Sequence, residues 1–232
     1  MNLAPEVLNP ARRGADRGLP QVLANHARAS RGPWRIKAFI DREGHPFTNN
    51  YNVVRPKNSM TTLEYLWAIL NSPLANAFAF AHATGRHNLP GTLERLPLPD
   101  LSKMNLAGVA KMVNAYLLVA ARADELFASS EAKHEAHDLL MQIDVAVLEG
   151  YELPPRLERE MLNVFAGHQR VGVTGEFVRY FPEDFEPCFS MHEYVSQEYR
   201  RSTAGELRSR HEDFSSPGLL KAMKRAIDDY GG

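Results

Sequence analysis

Hydrophobic and polar positions alternate early in the chain, in the segment PWRIKAFID (33–41). The apolar side chains there are Trp34, Ile36, Ala38 and Ile40. Arg35, Lys37 and Asp41 lie between them. A period of two predicts a half-buried strand, and here its outer face would be basic.

Two flanking segments extend this pattern. Tyr51, Val53 and Val54 form an aromatic and β-branched run that Pro56 closes, which is typical of a strand. The segment QVLANHARAS (21–30) fits either a strand or a short helix. We therefore expect a small antiparallel β unit over residues 20–57.

The most apolar stretch, LEYLWAILNSPLANAFAFAHATGRHN (63–88), has a helical period instead. Thr61 is the expected N-cap of a first helix, which Asn71 would end in the left-handed conformation. Ser72 would cap a second helix that starts at Pro73. Each helix is shorter than the roughly 20 residues that cross a bilayer, so we expect a buried helix pair and no membrane partner.

The rest of the chain reads as mainly helical. Long helices are expected over 103–149 with a break near 128–130, and a further helix from Pro155. The fold class is therefore α+β, with a small mixed β-sheet and a short helix pair followed by a mainly α-helical domain. The predicted boundaries are a flexible lead (1–18), a recognition-like domain (19–100), a helical domain (101–199), and an exposed connector with a short C-terminal helix (200–232).

Charge is unevenly distributed along this nearly neutral chain of 232 residues. Residues 10–60 hold ten Lys and Arg against three Asp and Glu, whereas residues 101–232 hold 15 against 21. A basic segment of this kind favours a polyanionic partner. One cysteine and an N-terminus that lacks the pattern of a secretory signal favour a cytoplasmic location.

Catalytic patterns are weak. No glycine-rich cofactor turn or P-loop is present in the sequence. Asp100, Glu131 and Lys133 match a loosely defined sequence motif of Mg²⁺-dependent nucleases. In those enzymes the glutamate and lysine lie on a strand, but here Glu131 and Lys133 lie in a segment that strongly favours a helix. His134 and His137 read as a solvated helix face rather than a zinc site. We expect no catalysis by this chain alone.

The polar features of the first hundred residues point to nucleic acid when they are taken together. Arginine and lysine neutralise phosphates, and arginine and asparagine read base edges. The candidate DNA-binding residues are Arg28, Arg31, Arg35, Lys37, Asn49, Asn50, Arg55, Lys57, Arg86, His87 and Asn88.

These residues lie within an order of segments that resembles a known family. The succession ASRGPWRIKAFID, TNNYNVVRP, LEYLWAILNSPLANAFAFAHATGRHN and LERLPLP is similar to the target-recognition region of bacterial N6-adenine DNA methylases and restriction–modification systems. The resemblance covers about residues 20–100 and extends more loosely through 143–165.

The resemblance implies a specificity module that binds duplex DNA. The family's catalytic motifs, a cofactor glycine motif and an Asn/Asp-Pro-Pro-aromatic motif, do not occur in this sequence. S-adenosylmethionine is therefore expected on a partner methylase and not on this chain. The helices would dock a methyltransferase or restriction subunit, or a second copy. The alternatives are the Mg²⁺ nuclease and a degenerate methylase fragment that acts only as an interaction protein.

Overall fold

The computed structural model describes residues 18–58, 61–82, 85–88, 90–123, 129–173, 177–185, 188–203 and 205–207. Within these residues a small sheet precedes a series of helices, which confirms the α+β class. The predicted lead, apart from Gly18, and the predicted last helix at 217–230 lie outside the described residues.

The sheet has three strands among the described residues: β1 (Gln21–Asn25), β2 (Ala38–Asp41) and β3 (Tyr51–Val54). Its order is β2-β1-β3, and both pairings are antiparallel, with Val22 opposite Ile40 on one side and Val54 on the other. The ambiguous segment 21–30 thus supplies the central strand. The expectation of a mixed sheet is wrong for these strands, whereas the antiparallel unit over 20–57 is confirmed.

Eight α-helices and one 3-10 turn are described. The helices are α1 (Leu63–Asn71), α2 (Pro73–His82), α3 (Pro90–Leu93), α4 (Leu106–Ala123), α5 (Ser130–Glu149), α6 (Pro155–Asn163), α7 (Met191–Val195) and α8 (Gln197–Arg201), and the 3-10 turn is Leu101–Lys103. The break near 128–130 is confirmed, because Ser129 caps α5 by accepting from the backbone N–H of Ala132.

The helix pair α1–α2 corrects two local predictions. The N-cap of α1 is Thr62, whose hydroxyl accepts from Tyr65 N at 3.1 Å, and not Thr61, which bonds instead to the Asn58 side chain. Asn71 does not adopt the left-handed conformation, since Glu152 alone has a positive φ among the described non-glycine residues. Ser72 does cap α2, as predicted, by accepting from Ala75 N at 3.2 Å.

Two buried asparagines at the junction of α1 and α2 bond to β2 and to the segment that leads into it. The side-chain oxygen of Asn71 accepts from Ala38 N at 3.0 Å, and its amide donates to Ala38 O at 3.2 Å. The side-chain oxygen of Asn76 accepts from the backbone N–H groups of Arg35 (2.8 Å) and Ile36 (2.7 Å). These amides replace a neighbouring strand at the start of β2 and along the segment that leads into it.

The hydrophobic core extends across the predicted boundary at residue 100. Trp34 is 1% exposed and packs against Phe165, with ring centroids 4.2 Å apart. α1 contacts β1 and β2 on one side and α4 and α5 on another. The β unit is therefore held by the helices that follow it, and the division into domains stays a prediction.

One helix among the described residues, α4, is long and apolar enough to cross a membrane by length and composition alone. A core helix of a soluble protein passes the same test. In this structure the buried stripe Val109, Val113 and Tyr116 of α4 belongs to a core shared with α1 and α5.

Candidate nucleic-acid interface

Nine of the eleven candidate residues gather at one end of the sheet. Three segments meet there, 26–37, 48–50 and 85–88, and we call them the loop cluster. His26 N donates to Asn50 O at 2.8 Å, which joins the first two segments. Asn52 donates from its side chain to Asn88 O at 2.7 Å, which joins the third.

The segment 85–88 continues the sheet beyond β1. Ala27 and His87 form an antiparallel bridge. Arg28 N donates to Arg86 O at 2.9 Å, and Asn88 N donates to His26 O at 2.6 Å. The backbone of this segment is thus fixed on both sides of His87, so the side chains of Arg86 and His87 project from an ordered frame.

Asn88 belongs to this frame and not to the exposed surface. Asn88 is 1% exposed, and its side-chain amide donates to Asn25 O (3.2 Å) and Arg35 O (3.0 Å). A side chain so engaged holds three parts of the loop cluster together. In this structure it offers no group to a base edge.

Arg35 is placed differently from the alternating pattern. It is 7% exposed, its guanidinium lies 5.0 Å from the Phe80 ring centroid, and Nη1 donates to Gly85 O at 3.5 Å. Burial, and then the charge of Arg28, lowers its pKa. The predicted outward position is wrong because Arg35 precedes β2 and is covered by the end of α2.

The remaining side chains of the loop cluster are accessible, and four of them are positively charged. Arg31, Asn49, Asn50, Arg86 and His87 are exposed. The cluster contains no Asp or Glu, and none of its accessible cations, Arg28, Arg31, Lys37 and Arg86, forms an ion pair with a described acid. The rings of His26 and His87 stack, with centroids 4.6 Å apart. Such a surface attracts phosphate groups and presents amides beside them.

Arg55 and Lys57 lie toward the opposite end of β3. Arg55 donates to the Gln21 side chain at 2.9 Å, at the start of β1. Five to seven residues separate these cations from Asn50, and an extended chain of that length spans about 16–23 Å. The eleven candidates therefore form two groups, one near each end of β3.

An acidic group lies at that second end. Gln21 and the His45 ring each contact a carboxylate oxygen of Asp41 at 2.9 Å. Burial opposes the charged form of Asp41, but the hydrogen bonds from Gln21 and His45 outweigh it and lower the pKa of Asp41. Its hydrogen bond and charge raise the pKa of His45. This end is less suited to phosphate than the loop cluster.

A buried polar network that the sequence did not reveal contacts the loop cluster at Trp34. Arg170 donates to both carboxylate oxygens of Asp144, at 2.5 and 3.0 Å, and to Asn71 O at 2.7 Å. Tyr180 donates to the same carboxylate at 2.8 Å, and the guanidinium lies 4.4 Å from the Trp34 ring centroid. The one available signal was a charged Asp144 within the apolar stripe of α5.

The structure separates the residues of the nuclease alternative. Asp100 N donates to Gly150 O at 3.1 Å, beside the C-terminal end of α5. Glu131 and Lys133 lie in the first turn of that 20-residue helix, about 27 Å away at 1.5 Å per residue. These groups cannot share one metal ion in this structure. Within the described residues no group of three or more His, Cys, Asp and Glu is placed to hold a metal.

Comparison of the chain with protein-family models, with curated proteins and with solved structures gave no match. The assignment of function therefore rests on the residues of the loop cluster and on the order of segments described above.

Proposed function

We propose that the chain is a recognition module that binds duplex DNA through the loop cluster, on behalf of an adenine-N6 methylase or a restriction–modification system. The observation that carries the proposal is the convergence of three separate segments on one end of the sheet. Backbone hydrogen bonds hold them together, and the side chains that they present are basic or amide-bearing, with no Asp or Glu in the three segments themselves.

The cluster divides into positioning residues and contact residues. Arg35 and Asn88 are buried and fix the loops. Arg28, Arg31, Lys37 and Arg86 are accessible cations and would contact phosphates. Asn49, Asn50 and His87 are exposed, and their side chains would offer hydrogen bonds to base edges.

The resemblance of the ordered segments supports the methylase context. A module of this kind would leave methyl transfer, and the binding of S-adenosylmethionine, to a partner subunit. The helices would dock that subunit.

A pair of matched arginine variants tests the proposal. Fluorescence anisotropy with a labelled pool of random 20-base-pair duplexes measures binding by the full chain at 50 mM salt. Arg86→Ala removes an exposed cation of the loop cluster, and we expect binding to weaken about threefold to tenfold, as for loss of one phosphate contact. Arg156→Ala removes an exposed arginine of α6 and is the control.

The two variants discriminate because each side chain is exposed and each protein should keep its fold. Equal binding by Arg86→Ala and wild type, with Arg156→Ala also unchanged, would place the DNA surface elsewhere. Absence of binding by the wild-type chain, both alone and with a methylase encoded beside it, would favour an interaction protein that has lost DNA recognition.

A further inference from the structure

The second basic group borders a groove that extends along β3, from His26 and Asn49 of the loop cluster to Arg55 and Lys57. This groove has a volume of about 1050 Å³ and runs between β3, α1 and the segment from Pro90 to Leu101. Its lining is largely apolar and includes Leu66, Ile69, Leu93 and Leu96. The far wall is anchored, because Tyr151 donates to Pro97 O at 2.8 Å.

The unpaired edge of β3 opens toward this groove. His26 pairs with Asn50 by a hydrogen bond, and hydrogen-bonded pairs alternate along an antiparallel ladder. The peptide groups of Asn52 and Val54 therefore face β1, and those of Val53 face away from it. No described strand pairs with this side of β3, whereas the start of the β2 edge bonds to the Asn71 side chain.

Two side chains of the lining call for a polar partner. Tyr65 is 2% exposed, and its hydroxyl is buried without a hydrogen-bond partner among the described residues. A buried unpaired hydroxyl is costly, so a ligand that accepts or donates there is favoured. Lys57, at the end of the strand, is exposed and forms no ion pair with a described acid.

We propose that this groove binds an extended peptide segment of a partner protein, which adds a strand to the edge of β3. The open peptide groups of Val53 require a partner with backbone donors and acceptors. The apolar walls accept alternate side chains of that segment, and the exposed Lys57 selects an acidic residue. Antiparallel pairing, the commoner arrangement, puts the acidic residue at the N-terminal end of the segment.

A displayed library of random octapeptides, selected on the full-length chain, supplies the probe. The key variant is Val53→Pro, which deletes the N–H that faces the groove and leaves the ladder to β1 intact. We expect selected peptides to carry an acidic residue near the N-terminus. Their affinity should fall about tenfold on Val53→Pro, which removes one hydrogen bond and leaves a carbonyl unpaired.

Two further arms keep the test independent of how Val53→Pro folds. Lys57→Glu changes an exposed side chain, and should weaken the same peptides about fivefold. Two synthetic copies of a selected peptide carry N-methyl groups, one at the odd-numbered and one at the even-numbered residues. The copy whose methylated amides face β3 should lose binding, and the other copy should keep it. Lys111→Glu, an exposed cation of α4, is the matched control and should leave peptide affinity unchanged.

Three results would overturn the proposal. The first is a selection that yields no peptide sensitive to Val53→Pro or to Lys57→Glu. The second is wild-type self-association that Val53→Pro abolishes, which would make a second copy the occupant. The third is duplex DNA binding that falls more on Lys57→Glu than on Arg86→Ala, which would assign the groove to DNA.

Discussion

The buried pair Arg170–Asp144 allows the sharpest prediction on stability. The side chains are 2% and 1% exposed. Substitution Arg170→Met keeps an unbranched apolar stem but removes two hydrogen bonds to Asp144 and one to Asn71 O. Among the described residues, Asp144 would then retain the Tyr180 hydroxyl as its side-chain partner in its buried site.

Removing one partner of a buried ion pair costs about 3–5 kcal/mol, because the other charge stays desolvated and uncompensated. Folded domains have about 5–15 kcal/mol of unfolding free energy in total. Arg170→Met should therefore remove about a fifth of the stability or more. Urea unfolding followed by far-ultraviolet circular dichroism measures this loss as a shift of the midpoint at unchanged slope.

Two comparisons decide the cause. Arg156→Met makes the same chemical change at an exposed arginine, 84% accessible and paired with Glu160, and should alter stability by less than about 0.5 kcal/mol. The double variant Asp144→Leu/Arg170→Met removes both charges, and should cost about 3 kcal/mol less than the two single changes added together. A loss below about 1 kcal/mol in Arg170→Met would refute the reasoning.

Three further predictions concern the helix pair and the sheet. Asn76→Leu leaves the N–H groups of Arg35 and Ile36 without their acceptor, and should lower the free energy of unfolding in urea by about 2 kcal/mol or more. Amide hydrogen exchange should accelerate most in the loop cluster, and unchanged exchange there would contradict this prediction. Leu70→Asp puts a carboxylate at a position that is 4% exposed, and should abolish cooperative unfolding, whereas Leu70→Met should not. The hydrogen bond to Asp41 raises the pKa of His45, so its stabilisation is complete below the ordinary value of 6.5 and is lost as pH rises through the folded-state pKa. The difference in unfolding free energy between wild type and His45→Ala should therefore shrink above pH 6.5. A difference that grows with pH would show that Asp41 does not raise the pKa of His45.

Local periodicity predicted much of the fold. Inward positions Trp34, Ile36 and Ala38, the break before α5 and the Ser72 cap of α2 are all confirmed. Each depends on neighbours within a few residues, which is the range over which period and capping act. The sequence did not show which of the adjacent residues Thr61 and Thr62 is the N-cap of α1. The backbone path decides this, and it places the hydroxyl of Thr62 at the helix start.

Long-range side-chain contacts could not be predicted in this way. Asn71 and Asn76 bond to backbone groups 33 to 41 residues away, and Arg170 bonds to Asp144 across 26 residues. Arg35 fits an outward position by alternation, yet the end of α2 covers it. Contacts of this kind follow from the tertiary arrangement and leave no periodic trace in the sequence.

The candidate site was predicted as a set of residue types, and its geometry was not. Arginine and asparagine in the first hundred residues indicated polyanion binding. The structure then separates Arg55 and Lys57 from the loop cluster, and buries Asn88 within it. Strand length alone predicts the first result, since residues at the two ends of a strand lie far apart. The second depends on a fold that brings segments 26–37 and 85–88 together.

The salt dependence of DNA binding tests the central claim most directly. With the four accessible cations Arg28, Arg31, Lys37 and Arg86 on phosphates, a plot of log affinity against log salt for the full chain and duplex DNA should have a slope of about −3.6. Arg86→Ala should reduce the slope by about 0.9 and Arg156→Ala should leave it unchanged. A wild-type slope near zero, or a slope that Arg86→Ala does not alter, would contradict DNA recognition by the loop cluster.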